Sequence, residues 1–161
     1  MSGDGWAEGM PTWMRDRAMA VYEAEDATRF AIEEYEVDSL IDIDGPSLDP
    51  ADVAAYAGKV MRAAGWVGPD PVVLFDVPDD DDHPGRVDLE GIHLHPKLCT
   101  HWTVVHEVAH WLDPRGGHDG RWAATMILLT RVAFGEAVSE RLLEEYQAAG
   151  VPVDQRWLNL G

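Results

Sequence analysis

The sequence predicts an α+β fold, and three observations carry that prediction. Apolar residues recur at helical spacing near both ends of the chain, three short β-rich runs stand between them, and clusters of Gly and Pro separate the segments. At 161 residues the chain has the size of one domain of about 100–200 residues. With 46% hydrophobic residues it can bury a core without disulfides. The expected organisation is a flexible segment over residues 1–13, a domain over 14–150 and a tail over 151–161.

Each element follows from its own pattern. From Arg15 to about Glu36, Ala18, Val21, Tyr22, Ala24, Phe30, Ala31 and Ile32 recur near helical spacing among charged residues, which predicts the first helix. Val37 to Ile43 (VDSLIDI) predicts a short strand closed by Gly45-Pro46. Asp49 as N-cap and Pro50 at the first helical position predict a second helix running to Gly65, with Val53, Tyr56, Ala57, Val60, Met61 and Ala64 as its stripe. Beyond the breaker Gly68-Pro69-Asp70-Pro71, Val72 to Val77 (VVLFDV) has the length and β-branching of a strand. The run Asp79 to Asp82 lacks the alternate spacing and central glycine of an EF-hand, so a solvated loop is expected. Arg86 to His95 alternates, with Ile92 and Leu94 on one face and His93 and His95 on the other, and Pro96 ends the strand. Helices are then expected over Thr100 to Leu112, Gly120 to Phe134 and Glu136 to Ala149. A turn at Asp113 to Gly117 and a tail docked through Trp157 and Leu158 complete the reading.

Charge narrows the function classes. Lys+Arg 12 against Asp+Glu 30 gives a formal net charge of −18, which opposes recruitment to a nucleic-acid backbone or an anionic lipid surface. The one cysteine, Cys99, cannot close an intramolecular disulfide, the first residues lack a signal-peptide pattern, and no apolar run is long enough to span a bilayer. The expected compartment is the cytoplasm. Between Gly91 and Trp122 the acidic Glu107, Asp113 and Asp119 are matched by Lys97, Arg115 and Arg121, so the acidity belongs to the rest of the chain.

The chemistry is concentrated in His106-Glu107-Val108-Ala109-His110, an H-E-x-x-H motif inside a predicted helix. Residues four apart share a helix face one turn apart, so two imidazoles reach one zinc ion while Glu107 reaches the water on it. Val104, Val105, Val108, Ala109 and Leu112 supply an apolar face for packing. By composition alone the motif arises in about 2% of such chains, so context has to carry the assignment. A catalytic zinc needs a third protein ligand, and His118 follows His110 by eight residues across a Gly-Gly turn that can bring the chain back to the metal. Before the helix, the strand bearing His93 and His95 offers an edge to which an extended peptide can add.

The order of strand, H-E-x-x-H helix, short turn and His118-Asp119-Gly120-Arg121-Trp122 resembles the zincin metallopeptidases of SprT-like and Wss-like type. Arg15-Asp16-Arg17 through Val21-Tyr22-Glu23-Ala24-Glu25, Gly91-Ile92-His93-Leu94-His95-Pro96 and His106 to Trp122 are also similar to a short actinobacterial and phage family of metallohydrolases. The resemblance implies a minimal zincin with a small mixed sheet, an active-site helix and backing helices. It implies His106, His110 and His118 as zinc ligands and Glu107 as catalytic base, and no particular substrate.

Several alternatives stay open at this stage. Glu136, in a sequence similar to the third-ligand helix of gluzincins, is the alternative third ligand to His118. Asp119, standing where the resembling pattern has glycine, either supports a ligand histidine or caps the next helix. His93 and His95 are candidate substrate contacts, Tyr146 a candidate oxyanion donor, His101 a solvent-facing residue and Cys99 a buried thiol. Trp102, Trp111 and Trp122 are expected to wall the site. The expected function is zinc-dependent hydrolysis of a peptide or protein, with a non-catalytic zinc-containing interaction module or a hydrolase of a non-peptide amide as alternatives. A nucleic-acid partner is not expected, and the sequence leaves the oligomeric state undetermined.

Overall fold

The computed structural model describes residues 11–31, 48–79, 85–114 and 117–159. The strand expected over Val37 to Ile43, the end of the first helix beyond Ala31, the lead-in over residues 1–10 and Asp80 to Asp82 of the acidic run lie outside the described residues. What is described is α+β, with six helices and a three-stranded mixed sheet.

Helix α1 (Thr12–Ala31) buries Ala18, Val21, Ala24, Thr28 and Ala31 at spacings of three and four. The small side chains let it approach α5 (Glu136–Ala148) closely, and the buried Thr28 hydroxyl is satisfied by donating to Ala24 O at 2.8 Å. One member of the buried stripe is a carboxylate, Glu25. Helix α2 (Pro50–Ala63) starts with Pro50 at its N-terminus and Asp49 in extended conformation before it, although the Asp49 side chain makes no capping bond. Its C-terminal side is released by Gly65 at φ +95°, a left-handed conformation that glycine adopts without steric cost.

The sheet differs from the sequence expectation in two ways. The run Arg86 to His95 is not one strand but a hairpin, β2 (Gly85–Asp88) paired antiparallel with β3 (Gly91–Leu94). The turn is made by Asp88, whose Oδ1 accepts from Glu90 N at 2.9 Å, and by Gly91 at φ +146°. A Cβ at Gly91 would lie 2.1 Å from Val72 O, so only glycine fits. Alternation of residue type survived on both arms and concealed the reversal. Second, the run Val72 to Val77 pairs as a strand only at β1 (Val73–Leu74), parallel to β3. Beyond it Asp76 turns its side chain to His93. The strand order β1-β3-β2 makes β3 central, which corrects the expectation that the histidine-bearing strand is an edge; among the described strands β2 is the edge beside it.

Helix α3 (His101–Leu112) is capped by Thr100, whose Oγ1 accepts from Thr103 N at 3.2 Å. Val104, Val105, Val108 and Ala109 are buried on its core side, each valine contributing about 1.5–3 kcal/mol of transfer free energy. Asp119 caps α4 (Gly120–Phe134) by accepting from Trp122 N at 2.8 Å, and α4 packs between α3 and α5. Trp102 stacks on Phe134 with ring centroids 5.5 Å apart, tying α3 to the end of α4. The short α6 (Gln155–Asn159) returns to α4, where Trp157 Nε1 donates to Thr125 Oγ1 at 2.9 Å and the Arg121 guanidinium lies 3.8 Å over the Trp157 ring. No described helix is long and apolar enough to cross a membrane.

Candidate metal centre

The cap at Thr100 fixes where α3 begins and hence the rotation of its ligand face. With the valines turned to the core, His106 and His110 come one above the other, ring centroids 5.0 Å apart. The turn after Asp113 brings His118 to them, at 5.6 Å from His106 and 4.8 Å from His110. One ligand atom from each of the three histidines lies within 4.8 Å of the others. Two features hold this third residue: Arg17 of α1 donates from Nη1 to the His118 carbonyl oxygen at 3.2 Å, and the Asp119 cap pins the following helix. Glu136 does not join the group; it is exposed in the first turn of α5.

Trp122 packs against all three rings, at 5.0 Å from His106, 4.8 Å from His110 and 4.6 Å from His118. It therefore walls the site from the core side, while Trp111 lines the cleft. Trp102 acts from behind, donating from Nε1 to Glu25 Oε1 at 2.7 Å.

Glu25 is one of two site residues, with Tyr22, that sequence reasoning missed. Only 2% exposed, it accepts from Trp102, from His106 Nδ1 at 2.8 Å and from the Tyr146 hydroxyl at 3.3 Å. The signal was present in the register of α1, since Glu25 falls four residues after the buried Val21 and three before the buried Thr28. A carboxylate in a core stripe requires partners inside the protein. Because the His106 Nδ1–H bonds to Glu25, the lone pair of this imidazole sits on Nε2. Burial opposes protonation of His106, but the charge and hydrogen bond of Glu25, with the charge of Glu107, raise its pKa above the ordinary value.

Glu107 is 4% exposed. Burial pushes its carboxyl up to about 7, His106 opposing and the charge of Glu25 adding to the rise. Its Cγ lies against the backbone of β2, where a Cβ on Gly85 would come within 2.8 Å of it. Tyr22 of α1 stacks on His106 at 5.5 Å and meets His118 edge-on at 5.9 Å. Burial, with the charges of Glu107 and Glu25, pushes its phenol well above 10.

A cleft of about 670 Å³ opens over these groups. Helix α1 contributes Met14, Ala18 and Tyr22, β2 contributes Gly85 to Asp88, and Glu107, His110 and His118 lie within it. The expected substrate contacts His93 and His95 are not among the lining residues. Both are buried, His93 between Asp76 and Asp88 and His95 with Nε2 2.6 Å from Asp79 Oδ1, because the two-sided burial of a central strand leaves their face no access to the cleft. Tyr146 is also behind the site, on Glu25. His101 is half-buried against Tyr56, at 4.7 Å, rather than facing solvent. The Cys99 thiol is buried and donates to His95 O at 3.1 Å.

A divalent cation fits this donor set. His106 Nε2 and Glu107 Oε2 are buried and make no hydrogen bond among the described residues, which is costly for polar atoms unless another ligand meets them. Three imidazoles are the ligand type for zinc, and a dication balances the two buried carboxylates Glu25 and Glu107. In comparisons with known proteins, no family model, no curated protein and no solved structure matches the chain.

Proposed function

We propose that the protein is a zinc-dependent metallohydrolase that cleaves peptide bonds, a minimal zincin with His106, His110 and His118 as ligands and Glu107 as general base. The observation that carries this reading is the convergence of three histidine ligand atoms within 4.8 Å beside a buried glutamate in an open cleft.

When bound, zinc supplies Lewis acidity, acidifying water towards neutral pH and polarising a carbonyl oxygen. The side chains supply the rest. His106 is held in one tautomer by Glu25, so its Nε2 is ready as a ligand without reorganisation. Glu107, buried beside the histidines and bordering the cleft, is placed to take a proton from attacking water and return it to the leaving amine. Trp122 keeps the core side of the histidines dry, and β2, an edge among the described strands, runs along the cleft, where an extended peptide can add as a further strand.

The lining favours catalysis over a purely structural zinc site: His110, His118 and Glu107 all border the cleft, whereas structural sites are closed by protein ligands. The net charge of −18 argues against nucleic acid as the recruiting partner. The test is Glu107→Gln, assayed for zinc content and for cleavage of a diverse peptide library. The variant should keep its zinc and lose hydrolysis by about 10²–10⁴-fold. Undiminished cleavage by Glu107→Gln would remove the assigned mechanism, and a zinc-loaded wild type inactive on peptides and on simple amides would favour the interaction-module alternative.

A further inference from the structure

Two tyrosines approach the candidate metal centre from different directions. Tyr146 is fully buried and donates its O–H to Glu25 Oε2 at 3.3 Å, behind the ligand histidines and outside the cleft. Tyr22 lines the cleft itself, its ring parallel to His106 within 16° at 5.5 Å and edge-on to His118 at 5.9 Å. It stands on the α1 face already marked by Met14 and Ala18, and it borders the same space as Glu107.

Addition of water to a carbonyl in this space creates a negative oxygen. Glu107 cannot stabilise it, because a carboxylate is an acceptor and repels that charge. A hydrogen-bond donor is required; Arg86, Trp66 and Trp111 line the cleft with N–H groups, but among the described lining residues Tyr22 is the donor whose ring packs on both His106 and His118, and it carries the hydroxyl there. A phenol with an ordinary pKa near 10 keeps its proton at neutral pH. Its ring packs against two of the histidines, so the phenol stands beside them before the reaction begins, and a donor already in place is the condition under which oxyanion stabilisation is strong.

We propose that Tyr22 is a catalytic residue whose phenol O–H donates a hydrogen bond to the oxyanion formed as water adds to the scissile carbonyl; this rests on the hydrolase reading above. In that step the water oxygen bonds to the carbonyl carbon, the π pair moves onto the carbonyl oxygen and Glu107 takes the water proton. The phenol proton stays on Tyr22. When the C–N bond breaks, the pair on oxygen re-forms the carbonyl and the proton held by Glu107 goes to the leaving amine.

The experiment compares the zinc-loaded wild type with Tyr22→Phe, which keeps the ring and removes the donor. Zinc affinity is measured by chelator competition, and the affinity of the zinc-loaded proteins for inorganic phosphate, a tetrahedral oxyanion, by calorimetry. Cleavage kinetics are measured on a peptide that the wild type cuts. The expected result is zinc affinity equal within about twofold, phosphate affinity reduced at least about tenfold, and kcat reduced about 10²–10³-fold with little change in KM. Unchanged phosphate affinity overturns the proposal, as does a large loss of zinc affinity, which would make Tyr22 a support of the ligands. If the wild type cuts no peptide, the peptidase reading fails on its own and the phosphate comparison still decides whether Tyr22 is an oxyanion donor.

Discussion

Glu25 and His106 are 81 residues apart in sequence and joined by a hydrogen bond of 2.8 Å from Nδ1 to Oε1. The same carboxylate receives Trp102 from one turn earlier on α3 and Tyr146 from α5, so one residue of α1 fixes the tautomer of a proposed ligand and joins α1, α3 and α5. Glu25→Gln should lower zinc affinity about 10–100-fold, as loss of such outer partners does elsewhere. Glu25→Ala should cost stability as well, about 1–3 kcal/mol for each buried donor left without an acceptor. Chelator competition and denaturant melts of the apoprotein separate the two effects. Zinc affinity within twofold of wild type in both variants would show that His106 needs no such orientation.

Gly85 is glycine because Glu107 occupies the space a side chain would need. A Cβ there would stand 2.8 Å from Glu107 Cγ and 2.9 Å from Leu94 Cδ2. Gly85→Ala is therefore expected to displace the Glu107 carboxylate while leaving the three histidines in place. The prediction is a kcat loss of about 10²-fold or more at normal zinc content, since a displacement near 1 Å has that effect on positioned groups. Normal kcat in this variant would show that β2 yields instead.

Much of this site was legible because local rules govern it. The i, i+4 spacing of His106 and His110, the caps at Thr100 and Asp119, and the short return to His118 are all written within a few residues of one another. The period of α1 marks Glu25 as buried, but the roles of Glu25 and Tyr22 at the site were not legible, because they depend on how α1 packs across α3, a contact between segments about 80 residues apart that no local period encodes. The hairpin was hidden for a different reason. Both arms alternate, and the reversal turns on the small signal of Asp88 and Gly91, which within an alternating run reads as continuation. His93 and His95 were misplaced in consequence, since a strand taken for an edge offers a free face and a central strand does not.

His93 is 1% exposed and bonded through both ring nitrogens, Nδ1 to Asp76 at 2.8 Å and Nε2 to Asp88 at 2.9 Å. Donating to two carboxylates requires the imidazolium. Burial opposes that form and so does Arg86, but the bonds to Asp88 and Asp76 prevail and hold the pKa above 6.5, while the His93 bond holds Asp88 below 3.8. A histidine whose pKa is raised on folding adds stability that is complete below its unfolded value and lost as pH rises through the folded one. A carboxylate whose pKa is lowered adds stability above its unfolded value that is lost as pH falls through the folded one. The contribution of this cluster should thus be full between about pH 4 and 6.5 and decline on both sides. Denaturant melts of wild type and His93→Gln from about pH 4 to about pH 9 should show their difference shrinking above neutrality; a difference that grows with pH there would reverse the assignment.

The third ligand can be settled by removing each candidate in turn. His118 is bound into the site from two directions, through Arg17 on its carbonyl and Trp122 on its ring, whereas Glu136 is exposed at the start of α5. His118→Ala should abolish one-to-one zinc retention in native mass spectrometry, and Glu136→Ala should retain it. Zinc that binds only the folded form raises stability by about 2.7 kcal/mol at a free concentration one hundred times Kd. That increment should appear in wild type and Glu136→Ala and vanish in His118→Ala. Because apo stabilities are compared in the same experiment, a general folding defect in His118→Ala would show itself as a lowered apo baseline, separate from the lost increment. Retention of the full zinc increment by His118→Ala, with its loss in Glu136→Ala, would transfer the third position to the glutamate.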